Sequence, residues 1–167
     1  MTLPISERAM QAVMAQLETI TMANGYNTDV GSAMFRERIS FEIEELPAGS
    51  LFETSEAPEN GAATDNNASM MIGHGFAVEL HGDPAAEDVG VWIGLARADV
   101  KQCLCSWAAG LTAEPGRGVR DADGAIGVLS YIGSDRIIRP DGGITSAVNV
   151  RFAVKYKEGF GDPYNAL

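Results

Sequence analysis

Histidine and cysteine are scarce in this chain, with two of each among 167 residues. Cys103 and Cys105 sit two apart in a helical pattern and therefore point to different sides of one helix. That spacing suits neither a disulfide nor a shared metal ion; one thiol is expected in the core and one partly exposed. His74 and His81, seven apart on a continuing strand, face opposite sides and make poor co-ligands. Basic residues are also few: 12 Lys and Arg against 23 Asp and Glu, a net charge of −11. Nucleic-acid binders carry a basic face, so a direct grip on DNA or RNA is disfavoured. No apolar run approaches the roughly 20 residues that cross a bilayer. Met1–Glu7 lacks the basic and apolar regions of a signal peptide, so the expectation is a protein made and used on the cytoplasmic side.

Catalytic and ligand-binding signatures are equally thin. Asp121-Ala122-Asp123-Gly124 has the start of a calcium loop but neither the later acidic positions nor the closing Glu. Gly73 and Gly75 flank His74 inside a strand, and no helix opens after them, so they form no phosphate loop; they mark close backbone approach instead. His81 and Asp83 have no positioned nucleophile beside them, and Asp83 reads better as a helix cap. No catalytic residue, cofactor or metal site is expected, and the chain is read as not an enzyme.

What is present is periodicity. Ser6 can cap a helix whose stripe is Met10, Val13, Met14, Leu17 and Ile20, with Gly25 as its stop. Phe35–Ile43 reads as extended, and Pro47 belongs at a strand entrance or edge. Leu51–Thr54 is a short strand. Met70–Leu80 is a longer one, with Ile72, His74, Phe76, Val78 and Leu80 on one face. Asp83-Pro84 opens a second helix whose buried side is Val89, Trp92, Ile93, Ala96, Val100, Leu104 and Trp107. Ile126–Ile132 and Ile144–Tyr156 complete the strands. Ser55–Ser69 and Leu111–Gly124 read as long loops, rich in Gly, Ala, Asn, Pro and acids. The implied fold is a single α+β domain: a mainly antiparallel sheet of four to five strands, with two amphipathic helices packed on one face.

Charge is unevenly placed. Residues 37–65 hold eight acidic side chains and one basic, whereas 136–158 hold five basic and two acidic. The closing strand ends in a coda, Glu158-Gly159-Phe160-Gly161-Asp162-Pro163-Tyr164, whose aromatics have no evident use in a monomer. Complementary patches and a spare aromatic tail suit head-to-tail assembly, where two different surfaces of each subunit meet.

The order of elements resembles the tail terminator (tail completion, or minor tail) proteins of long-tailed bacteriophages. The resemblance is carried by the first amphipathic helix, Asn24-Gly25-Tyr26, Thr28-Asp29-Val30-Gly31, Met34-Phe35-Arg36-Glu37-Arg38, the Glu45-Leu46-Pro47-Ala48 lead into a strand, the second helix, and the long last strand with Gly161-Asp162-Pro163-Tyr164 behind it. It spans nearly the whole chain. It implies a virion protein of the tail-neck region, assembled in the host cytoplasm. Such a protein forms a homo-hexameric ring, caps the tail tube, ends its polymerisation and joins it to the head connector. DNA passes through the ring without specific binding, and no membrane is involved. On this reading Phe35, Arg36, Arg38, Arg151, Lys155, Phe160 and Tyr164 are candidates for subunit or tube contact, and Glu56, Glu59 and Asp65 for an acidic lumen. The alternatives are another neck or head-closure adaptor, the same fold in a bacterial tail-like particle, and a small α+β ligand-binding domain or enzyme.

Overall fold

The computed structural model describes residues 2–63, 69–110, 118–122, 124–137, 146–159 and 161–166. Helix α1 spans Ile5–Leu17 and buries Ile5, Ala9, Met10, Val13 and Leu17. Pro4, not Ser6, occupies its N-cap, and no side chain caps it. The expected stop also moves: Gly25, at φ 87°, follows a single 3-10 turn, Met22–Asn24, beyond the end of α1. Gly31 closes this corner. Its backbone N–H donates to the Ile20 carbonyl at 2.9 Å, and a Cβ there would meet the carbonyls of Leu17, Glu18 and Ile20 at 2.7 Å.

Seven strands follow: β1 (Met34–Arg36), β2 (Ala48–Ala63), β3 (Ser69–His81), β4 (Val119–Asp121), β5 (Gly124–Ile137), β6 (Ala147–Gly159) and β7 (Asp162–Ala166). They form one open, curled sheet in the order β1-β2-β3-β6-β5-β4, with β7 paired to the end of β6. Helix α2 spans Val89–Ala108. The fold is therefore mostly β, not the α+β fold expected from the sequence, while the four to five strands expected are roughly similar to the seven described. The sheet is also mixed rather than simply antiparallel, because β1 runs parallel to β2.

Three strand boundaries explain the difference. Ser55–Ser69 was expected to be a loop, yet β2 continues through Ala63 and pairs with β3 from Ala48↔His81 to Ala63↔Met70. Its polar residues are carried by the ladder of β3 and not by burial of their own, and bulges between Glu53 and Ser55 and between Pro58 and Ala63 absorb the irregular composition. In Leu111–Gly124, the described part includes strand β4. Conversely Phe35–Ile43 is a strand only over Met34–Arg36; beyond it Ile39 and Ile43 are exposed, and a 3-10 turn forms at Ile43–Glu45. Asp83 caps a turn, accepting from the Ala85 N–H at 2.8 Å, and α2 begins only after Asp88.

Alternation on the central strands sets the core. Ile72, Phe76, Val78 and Leu80 of β3 join Val148, Val150, Phe152, Val154 and Tyr156 of β6 under both helices. Phe76 and Phe152 stack with ring centroids 5.5 Å apart. From α2 come Ala96, Val100, Cys103, Leu104 and Trp107, while Val89, Trp92 and Ile93 stay partly exposed. Cys103 is buried and Cys105 exposed, both as free thiols. Two sheet margins remain open among the described residues: β2 from Thr54 to Ala63, beyond β1 and the Glu53 N–H bond to Glu37, and β5 from Val128 to Ile137, beyond the reach of β4.

Candidate assembly surface

The expected contact residues are for the most part engaged within their own chain. Arg36, on β1, forks onto the carboxylate of α1: Nη1 donates to Glu7 Oε1 and Nη2 to Glu7 Oε2, each at 2.7 Å, and Nη2 also reaches Glu53. The guanidinium holds the Glu7 carboxyl below its ordinary range, and the two carboxylates raise the affinity of Arg36 for its proton, Glu7 first. This bidentate staple joins the first helix to the sheet margin. Arg151 pairs with Asp135 at 2.6 Å and Lys155 with Glu59 at 3.1 Å. Both pairs are largely exposed, so they contribute little to stability.

The acidic candidates divide. Glu56 faces the helix side, accepting from the Tyr156 hydroxyl at 3.1 Å and lying 3.0 Å from His74 Nδ1. His74 is buried, and its Nε2 lies 3.2 Å from the Glu53 carboxylate without the alignment of a hydrogen bond. Burial and the Glu56 carboxylate push the Tyr156 phenol well above its ordinary range. Glu59 belongs to the Lys155 pair. Asp65 and Phe160 lie outside the described residues. The coda read as a free tail returns as β7, pairing Gly159↔Asp162 and Glu158↔Ala166, and leaves Tyr164 45% exposed.

Arg38 and Phe35 help to build a rigid knob between β1 and β2. The Arg38 guanidinium lies 4.6 Å from the Phe35 ring centroid and 5.0 Å from that of Phe41. Its Nη2 donates to Glu45 Oε2 at 2.6 Å, and that contact lowers the Glu45 carboxyl from its ordinary range. Glu42 and Glu45 close a reciprocal capping box around the 3-10 turn. The Phe41 ring packs 5.1 Å from His81, and a cis Leu46–Pro47 bond leads into β2. On this scaffold Ile39 is 81% and Ile43 67% exposed, with Glu42 and Glu44 exposed beside them. Both isoleucines are thus held out to solvent by a segment that is itself braced.

A cleft of about 230 Å³ opens across the sheet, between the first turns of α2 and the ends of β5 and β6. Gly90, Ile93, Gly94, Arg97, Arg136 and Val148 line it. Neither Arg97 nor Arg136 has a carboxylate partner among the described residues. Sequence reasoning did not single out this site. The available signal was Gly90, Gly94 and Arg97 at i, i+4 and i+7, which share one helix face; Arg136 comes from a strand far along the chain, which no local pattern joins to it.

No protein-family model matches the sequence, and no curated protein matches it. Among solved structures the chain is similar to one in the virion of a native gene transfer agent particle, with a TM-score of 0.51 and 15% identity, over 93% of this chain and 96% of that one. At that identity the likeness is one of fold.

Proposed function

We propose that the chain is a structural subunit of a phage-like particle and, more finely, the tail terminator, forming a ring that caps the tail tube and receives the head connector. One observation carries the reading: the fold likeness runs nearly end to end in both chains, and the other chain is part of a virion. The element order noted in the sequence agrees, and the knob and the cleft give each subunit two unlike surfaces, as a head-to-tail ring requires. The reading gives the protein no catalytic centre and no cofactor. The net charge of −11 suits a bore through which DNA slides without being held, since Lys and Arg contacts to phosphate are what retain it.

The test is mass measurement and electron microscopy of the purified protein, alone and with purified tail tubes. Six-fold rings on tube ends are expected. A monomer that ignores tube ends overturns the proposal. Rings that bind the connector and leave the tube bare would instead identify a neck adaptor.

A further inference from the structure

We infer that the knob around Ile39 and Ile43 of one subunit seats in the α2–β5 cleft of the next, and that this contact closes the ring. The inference rests on the ring reading above and specifies its interface. Three observations point the same way.

The first is shape. The knob is braced by the Arg38–Glu45 contact, the Glu42–Glu45 capping box and the Phe35–Phe41–His81 ring cluster, so the segment that carries its two aliphatic side chains is already ordered before binding. The cleft of about 230 Å³ falls below the roughly 300–1,000 Å³ of small-molecule pockets, which favours a socket for one or two side chains over a ligand site. Gly90 and Gly94 expose the α2 backbone there, and a Cβ at either would meet nothing within 4 Å.

The second is charge. Glu42 and Glu44 are exposed beside the two isoleucines, and Arg97 and Arg136 line the cleft beside Ile93. Both patches combine an apolar centre with charges at its border, of opposite sign. The basic residues of β6 are less suited to this role: Arg151 and Lys155 already have acidic neighbours within the subunit.

The third is placement. Ala48, where the knob rejoins the sheet, pairs with His81; His81 pairs with Ala147; Ala147 pairs with Ile137, next to Arg136. Knob and cleft thus lie at the same level of the sheet and on opposite sides of it, about three strand spacings or roughly 14 Å apart. Two unlike patches so placed give a heterologous contact that repeats from subunit to subunit.

The experiment uses the full chain with Cys105→Ser, which removes the exposed native thiol. Protein carrying Ile43→Cys is mixed with protein carrying Gly94→Cys on tail tubes and treated with a short bismaleimide. Cross-linked dimers should exceed those from either protein alone by about tenfold or more, and the double variant should give a ladder ending at the ring, as expected if the contact carries at least one decade of affinity. Rings that form without these cross-links overturn the contact and leave the terminator reading standing. Absence of rings on the tube with the Cys105→Ser protein, before the paired cysteines are introduced, overturns both. As a second arm, Ile39→Asp with Ile43→Asp should leave the monomer's melting temperature unchanged and reduce ring occupancy about tenfold; full occupancy overturns the inference.

Discussion

Asp99 is the residue whose loss should cost the fold most for its size. Its carboxylate is fully buried in α2 and accepts from the Asn27 N–H at 3.0 Å, Asn27 Nδ2 at 2.8 Å and Thr28 Oγ1 at 2.8 Å. Asp99→Ala strands these donors and should destabilise the subunit by about 3 kcal/mol, measured by denaturant unfolding; Asp99→Asn should cost about half as much. Nothing in the sequence announced this role, because the partners lie far away along the chain and Asp99 sits beside Val100 on an otherwise apolar helix face. Glu158 works in the opposite sense. It is buried near Glu56 and Asp162, and its carboxyl is raised by burial first and by those two charges next. A raised carboxyl binds protons more tightly in the folded state, so its penalty is absent below the unfolded range near about pH 4 and present above the folded one. Glu158→Gln should therefore stabilise the subunit by about 1 kcal/mol at pH 7, with the gain vanishing in acid; a pH series of melting curves checks this.

Among the elements, those with strong periodicity were legible. β3 and β6 show on the page as alternating residues, and α1 as a stripe, because each buries one face of its own. β2 was hidden for the converse reason: its outer half, rich in Glu, Pro, Gly and Ala, is held by hydrogen bonds to β3, so composition points to a loop. The coda was hidden in the same way, since β7 pairs with β6 at only two register positions. Removing residues 160–167 should therefore cost only about 1 kcal/mol, a fall in melting temperature of about 2–4 °C, while ring formation falls by a larger factor. Equal loss of both would contradict a contact role for Tyr164. The candidate surface was legible in outline only. The acidic half and Arg136 could be counted in the sequence, but which charges are consumed within the subunit depends on pairs such as Arg36 with Glu7 that only the folded chain brings together.

For the whole molecule, the balance is between repulsion at a distance and attraction at contact. Each subunit carries a net charge of −11. At an ionic strength of about 0.01 M the Debye length is about 30 Å, longer than the span between neighbouring patches, and at about 0.15 M it is about 8 Å. Salt in that range therefore screens the overall repulsion more than it screens close pairs. Ring assembly should rise as salt increases to about 0.15 M, measured by sedimentation; a monotonic fall would show that exposed charge pairs dominate the interface.

The open margins of the sheet have a consequence for the protein on its own. Thr54–Ala63 and Val128–Ile137 each offer a row of backbone donors and acceptors with no strand partner on that side among the described residues. Glu56 and Glu59 act as gatekeepers along the first, whereas exposed Val128 and Ile132 leave the near part of the second unguarded. Overproduced on its own, the protein should be prone to fibrillation seeded from β5, and Val128→Lys should suppress thioflavin-positive deposits without lowering the melting temperature.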